Sequence, residues 1–220
     1  MNKSTPVSTT FSAQEAHMLL RGRYSIRHYR PEMPADAVIT RIFESVAMAP
    51  SAHNRQPWRY LVISAPRLKA NLANAMGVRL AADRRRDGDP EAIIQADVSR
   101  SYRRITGAPI IVVAALTMAQ MDRYPDEKRN RAEYLMAVQS TAMATQNLLL
   151  AVHAEGLGAC WICAPLFCPV DVRNALSMPE DWEPQGLITL GYPDRPGKLK
   201  PRKPLADFMF LATACDQAAE

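Results

Sequence analysis

From Asp126 to Glu155 the chain contains neither Gly nor Pro, and from Leu135 to Val152 it carries no charged residue. Residues of high helix propensity over such a length predict one long helix. The absence of charge along its second half predicts that the helix is buried on most sides. Such a helix has to be covered by other layers, so the rest of the chain must supply a sheet and further helices around it. At 220 residues the chain is long enough for one substantial domain, 1–220, and no repeat or linker divides it.

The remaining pattern supplies those layers. Ser12 with Glu15 three residues on reads as a capping box, opening a helix that Gly22 stops. After Pro34, the apolar positions Val38, Ile39, Ile42, Phe43 and Val46 recur at helical spacing, and the helix ends before Pro50. Arg59–Ser64 reads as a strand. Helices are expected over Arg67–Met76 and Glu91–Arg104, with a charged stretch, Asp83–Asp89, between them. Ile110–Leu116 is apolar on both alternating faces, as in a strand covered on both sides. Ala159–Cys163 reads as a strand, Val170–Ser177 as a short helix, Leu187–Leu190 as a last strand, and Pro193–Pro204 as a basic loop. Few strands among many helices give an α+β domain with a central sheet.

The formal charge is +5 and the pI about 9.2, so the surface favours anions, whether nucleic acid, membrane or small phosphate. Ala108–Leu116, the longest apolar run, is about half of the ~20 residues that a membrane span needs. The polar N-terminus has no apolar stretch of signal-peptide length. Cys160, Cys163 and Cys168 are crowded and Cys215 lies apart, which does not read as a disulfide framework. A cytoplasmic setting without a membrane partner is expected. In Cys160-Trp161-Ile162-Cys163, residues three apart on a strand point to opposite faces, so the two sulfurs should diverge as structural cysteines.

The usual catalytic signatures are missing. There is no G-x-G-x-x-G after a strand, no P-loop, no H-E-x-x-H and no G-x-S-x-G. His17, His28, His53 and His153 are scattered, so no metal site is argued. An enzyme of this kind would draw its reactivity from a bound cofactor, without catalytic side chains of its own.

Three segments carry chemistry. In Arg23-Tyr24-Ser25-Ile26-Arg27, an extended backbone puts Arg23, Ser25 and Arg27 on one side, two guanidiniums flanking a hydroxyl, as in a phosphate clamp. In Ala49-Pro50-Ser51-Ala52-His53-Asn54-Arg55-Gln56-Pro57-Trp58, two prolines bracket a polar loop whose amides suit the edge of a heterocycle; such residues also favour a plain turn. Gly158–Cys163, Gly191-Tyr192-Pro193 and the basic run Lys198–Lys203 form the third.

Taken together and in this order, the segments resemble the nitroreductase family of flavin-dependent oxidoreductases, with its R-x-S-x-R-like opening, A-P-S-x-x-N-x-Q-P-W-like loop and basic pair after a G-Y-P-like turn. Within that family the chain is similar to the C-terminal flavin-binding domain of the bifunctional gamma-glutamyl ligase that matures the deazaflavin coenzyme. The stretches carrying this likeness are Tyr124-Pro125-Asp126, Gly156–Ile162 and Asp181-Trp182-Glu183-Pro184. The resemblance implies a three-layer α/β/α sandwich with a central mixed sheet, a long buried central helix and an intertwined homodimer. It implies FMN, with the phosphate and ribityl chain held by Arg23, Tyr24, Ser25 and Arg27 together with Lys200 and Arg202. Pro50, Ser51, Ala52 and Asn54 match the loop that reaches the flavin of the other subunit. Gly158 and Trp161, Ile162, Cys163 and Ala164 match the strand end beside the flavin ring. Cys163 and Ala164 stand where the family commonly has a small or acidic residue and a glycine.

The implied activity is ping-pong hydride transfer from NAD(P)H through FMN to a small acceptor such as a nitroaromatic, quinone or enoate. A deazaflavin coenzyme or its precursor is an alternative partner, whose anionic tail Arg84, Arg85 and Arg86 could meet. A nucleic-acid-binding module using Arg84–Arg86, Arg100, Arg103, Arg104 and the basic loop is the alternative of another class, and no DNA- or RNA-binding signature accompanies those charges.

Overall fold

The computed structural model describes residues 12–211; Cys215 and most of the polar N-terminus lie outside them. Four strands, β1 (Trp58–Ile63), β2 (Ile110–Leu116), β3 (Gly158–Ile162) and β4 (Glu183–Gly191), form a sheet in the order β1-β2-β4-β3. All three pairings are antiparallel, and the sheet is mixed only at its edge, through a parallel bridge between Ser25 and Ala159.

Helices cover both faces, giving three layers. All seven residues of β2 are buried, and they alternate between two cores. Ile110, Val112 and Ala114 face a core completed by α2 (Asp36–Ala47) and α5 (Glu127–Ala154). Ile111, Val113 and Ala115 face a second core built on α3 (Pro66–Arg86), α4 (Glu91–Thr106) and α6 (Pro169–Ala175). The two-sided apolar strand expected from the sequence is thus the spine of the domain.

Local signals place several ends. At α1 (Ala13–Gly22), Ser12 Oγ accepts from the Glu15 backbone, and the Glu15 carboxylate accepts from Ser12 N at 3.0 Å. Asp126 caps α5 by accepting from Arg129 N at 2.9 Å.

Three expectations change. The first is the helix over Arg67–Met76, which continues to Arg86 and takes in the first half of the charged stretch. Arg79 pairs with Asp83 one turn on, and Asp83 with Arg86, so the charges support the helix instead of interrupting it. The second is α5, which is buried on one side only within this chain. Ala137, Ser140, Thr141, Ala144, Leu148 and Val152 are enclosed, whereas Leu135 and Met143 are more than two-fifths exposed. The last strand also begins earlier than Leu187, at Glu183.

Lys69 shows how α4 ends. Buried within α3, its ammonium donates to the carbonyls of Ala108 at 2.7 Å and Pro109 at 3.2 Å, just past the last turn of α4. Cations suit this end of a helix, although burial lowers the lysine pKa.

Candidate functional site

Residues 24–29 and 193–197 run antiparallel beside the sheet edge. Ile26 N donates to Ala159 O and Arg30 N to Tyr192 O, both at 2.9 Å, while Asp194 N donates to His28 O at 3.1 Å. Tyr29 bridges Pro193, and Gly197 lies against Tyr24 and Ser25. Glycine is required at both close approaches. A Cβ at Gly158 would stand 2.6 Å from Ile26, and one at Gly197 2.6 Å from the Tyr24 ring, closer than carbon atoms tolerate.

Tyr29 ties this ribbon to the core. Its hydroxyl lies 2.5 Å from Ile26 O, 3.0 Å from Thr189 O and 2.7 Å from Thr189 Oγ1. Burial pushes its pKa well up, so it stays a neutral donor. The period-two reading does not extend this far, because Tyr29 turns inward where strict alternation would continue the exposed face of Arg27.

Between the two strands of the ribbon opens a cleft of about 540 Å³, lined by Arg23, Tyr24, Ser25 and Arg27 on one side and by Arg195, Lys198, Lys200 and Arg202 on the other. The structure therefore brings together residues from opposite ends of the chain, including every cation singled out for the clamp. Among the described residues, none of these six cations makes an ion pair. A smaller cavity of about 210 Å³ adjoins it through Arg23, Tyr24 and Ile26 and is closed by Leu149 and His153 of α5. Arg195 and Gly197 were not singled out from the sequence. The Pro-Gly at 196–197 next to a basic residue is the only local hint of them.

The Pro50–Trp58 loop lies elsewhere. Ala52–Asn54 forms a single 3₁₀ turn against α5, with Ala52 N donating to Ser140 Oγ at 3.3 Å. His53, Asn54 and Gln56 all have left-handed backbones, with φ of 49°, 53° and 49°. Such conformations cost about 1 kcal/mol or more each for side-chain-bearing residues. Internal bonds hold them: Gln56 N donates to Ser51 Oγ at 3.0 Å, and the Gln56 amide to Asn54 Oδ1 at 3.1 Å. Arg55 pairs with Asp122 at 2.7 Å, yet its Nε is buried without a partner. Pro50, Ser51, Ala52 and Asn54 line neither the basic cleft nor the cavity beside it. One chain carries the predicted site as two separate parts.

At the end of β3, Trp161 lays its ring over Gly186 of β4 and donates from Nε1 to Cys163 Sγ at 2.9 Å. Cys160 is buried and Cys163 exposed, as expected, but the strand ends at Ile162 and Cys163 already opens the following 3₁₀ turn, so strand alternation is not the cause. Ala164 turns away from the basic cleft and lines an apolar cavity of about 280 Å³ with Met76, Leu80, Phe167 and Cys168 on the far layer. Burial pushes the Cys168 thiol up to about 11, leaving it protonated at neutral pH.

The Arg84–Arg86 cluster is engaged with carboxylates. Arg84 binds Asp89 at 2.6 Å and also Asp97, Arg85 binds Glu91 at 2.6 Å, and Arg86 binds Asp83 at 2.9 Å. Hydrogen bonds from Arg85 and then Gln95 hold the Glu91 carboxyl down at about 2.

Comparison with known proteins accords with this geometry. Residues 20–192 match the model of the nitroreductase family. A 5,6-dimethylbenzimidazole synthase of Rhodobacter capsulatus is 32% identical over 178 residues, covering 80% of this chain and 82% of its own. Among solved structures, a nitroreductase from Desulfovibrio desulfuricans in complex with FMN is 25% identical, with a TM-score of 0.68 over 93% of this chain and 99% of that one. The nitroreductase NfnB of Mycobacterium smegmatis, in complex with NADPH, shares the fold at 22% identity and a TM-score of 0.70, over 91% of this chain and 99% of that one.

Proposed function

The chain belongs to the nitroreductase family, and on that footing we propose that it is an FMN-dependent oxidoreductase. In this reading it takes hydride from NAD(P)H and delivers it to a small acceptor such as a nitroaromatic, a quinone or an enoate, in ping-pong order.

The observation that carries the reading is the basic cleft. Its donor set fits a flavin mononucleotide: guanidiniums at Arg23, Arg27 and Arg202 and the ammonium of Lys200 suit a phosphate, and the Ser25 hydroxyl suits a polyol chain. Their lack of carboxylate partners leaves that charge available to a ligand. Bound FMN would supply a ring that accepts and donates hydride, which accounts for a site without a catalytic acid, base or nucleophile. The chain's own share is to grip the phosphate, to hold the ribbon through Tyr29 and to offer the Gly158–Ile162 strand beside the ring.

A homodimer completes the proposal. The exposed side of α5 presents Leu135, Gln139, Ala142, Met143 and Gln146, a stripe without charge. The preorganised Ser51–Asn54 loop lies apart from the cleft of its own chain, as expected if it serves the partner's flavin. We also propose a cytoplasmic setting, which suits the free thiols of Cys160, Cys163 and Cys168. α5 is long and apolar enough to cross a membrane by length and composition, but here it packs on the sheet.

The test begins with the purified protein, which should be yellow and release FMN on denaturation. Colourless protein that FMN cannot reconstitute overturns the reading. Stopped-flow reduction with NADH, NADPH and a reduced deazaflavin then identifies the reductant. The deazaflavin alternative is less favoured by the structure, because Arg84–Arg86 are neutralised by carboxylates. The same pairs, with that of Arg100 to Asp97, count against the nucleic-acid module. Appearance of 5,6-dimethylbenzimidazole in an aerobic reaction would assign the relative's activity instead.

A further inference from the structure

The two walls of the basic cleft leave the sheet at one point, and a proline from another connection fills it. β4 ends at Gly191, and the second wall starts from Tyr192, whose carbonyl accepts from Arg30 N at 2.9 Å. The first wall is anchored by Tyr29, which bridges Pro193. Gly191 is enclosed between these supports. A Cβ there would stand 2.8 Å from both Cγ and Cδ of Pro109 and 3.3 Å from Tyr29 Cβ. Pro109 is itself buried, immediately before β2, so its ring is a wedge under the roots of both walls.

The hold on this wedge comes from α3. The Lys69 ammonium donates to the carbonyl on each side of the Pro109 ring, Ala108 O at 2.7 Å and Pro109 O at 3.2 Å. Pro109 has no N–H of its own with which to tie the turn down. Lys69 is only 7% exposed and makes no ion pair among the described residues. A buried cation is costly unless other groups replace its hydration, and an apolar side chain often packs as well or better. An apolar side chain, however, could not fix the two carbonyls that set the pitch of the ring.

We infer that Lys69 is a positioning residue for the phosphate clamp, acting through Pro109 on Gly191 and Tyr29. The inference rests on the FMN reading above and adds to it a residue that does not line the cleft. Its contribution is to hold the roots of the two walls at a set spacing before a phosphate arrives. A site ordered in advance spends less of its binding energy on ordering itself.

The experiment measures FMN Kd, Tm and amide exchange in Lys69→Met, Gly191→Ala and their double variant. Lys69→Met keeps the length of the side chain and removes the donor. It is expected to raise the FMN Kd about tenfold, the share of one charge-assisted hydrogen bond. In the FMN-free protein, exchange at Ile26 N, Arg30 N and Asp194 N is expected to rise more than exchange in β1. Ile94→Val, a core change in α4, is expected to lower Tm with the FMN Kd within about twofold. Gly191→Ala presses on the same ring from the opposite side and is expected to weaken FMN binding as well. In the double variant the released proline can yield, so the combined loss is expected to be smaller than the product of the single losses.

An FMN Kd unchanged in Lys69→Met overturns the inference, as do losses that multiply fully in the double variant. Equal acceleration of exchange in the ribbon and in β1 also overturns it, by reducing Lys69 to a general support of the fold. If Lys69→Met does not fold, Lys69→Gln, a shorter and neutral donor, carries the same comparison. Failure of the unsubstituted protein to bind FMN is a different result and refutes the functional reading. Ribbon exchange is measured without FMN, so it still decides whether Lys69 holds the walls.

Discussion

The molecule contains two arginine-rich regions that look alike as text and differ in what surrounds them. At the turn from α3 to α4, Arg84, Arg85 and Arg86 each meet a carboxylate, and Arg84 meets two. In the cleft, Arg23, Arg27, Lys200 and Arg202 meet none among the described residues. The first group has its charge satisfied by the fold and closes a helical hairpin. The second has no internal partner among the described residues, as the proposed phosphate site requires. A basic run is therefore informative about ligands only after its internal partners have been counted.

The contrast breaks first at the clamp. Arg23→Ala or Arg202→Ala is expected to weaken FMN binding by about 10- to 150-fold, from the loss of roughly 1.5–3 kcal/mol of charge-assisted hydrogen bonding. Tm should move little, since neither side chain makes an ion pair among the described residues. Fluorescence titration with FMN beside thermal unfolding separates the two effects, and unchanged affinity in both variants removes the assignment.

Tyr29→Phe comes next and tests whether the ribbon has to be anchored. It deletes the hydroxyl that reaches Ile26 O and Thr189, a loss of about 1–2 kcal/mol. Both Tm and FMN affinity should fall together, and affinity that stays at the parent value would show that the clamp holds its shape unaided.

Arg84→Ala should do the opposite of the clamp variants. It leaves Asp89 without its cation and Asp97 with Arg100 alone, and is expected to lower Tm slightly, as for a solvent-screened pair. FMN affinity should remain within about twofold, a difference below 0.5 kcal/mol. A large loss of FMN here would mean that the two regions are coupled.

The smallest effect is in acid. Glu91 titrates near 2 in the folded chain, below its ordinary value of 4.5, and Asp83 is also lowered, through its hydrogen bond from Arg79. A depressed carboxylate stabilises above its unfolded pKa, and that contribution fades as pH falls from about 4.5 toward 2. Amide exchange in the α3–α4 turn, relative to the intrinsic rate at each pH, should therefore rise across this window ahead of exchange in β2. Equal acceleration in both elements would contradict the role given to the ion pairs.

Local chemistry was largely legible in the sequence. The Ser12–Glu15 box, the two-faced strand Ile110–Leu116 and the stop before Pro50 are decided by neighbours within a few residues. The extent of α3 was not, because Arg84 finds Asp97 only after the chain has turned back through α4. The uncharged stretch of α5 announced an apolar surface correctly. It could not say that this chain covers one side only, since pattern reports polarity and not the identity of the cover. In the candidate site the shared wall of Arg23, Ser25 and Arg27 was readable from their spacing. Tyr29, Arg195 and Gly197 were not, because their roles exist only once residues near 25 and near 195 lie side by side. The left-handed backbones of His53, Asn54 and Gln56 were equally hidden, since such residues also build ordinary turns.

The ribbon that joins Tyr24–Tyr29 to Pro193–Gly197 has a consequence for the order in which the parts of the molecule are encoded. The enclosed core residues are all present by Leu190, on the last strand, and the basic loop adds none. The sheet and both apolar layers are thus encoded before the second wall of the proposed cofactor cleft. The wall formed by residues 195–202 follows the last enclosed core residue in the chain, so a chain interrupted after Gly191 would keep every enclosed core residue described and lose one wall of the proposed phosphate site.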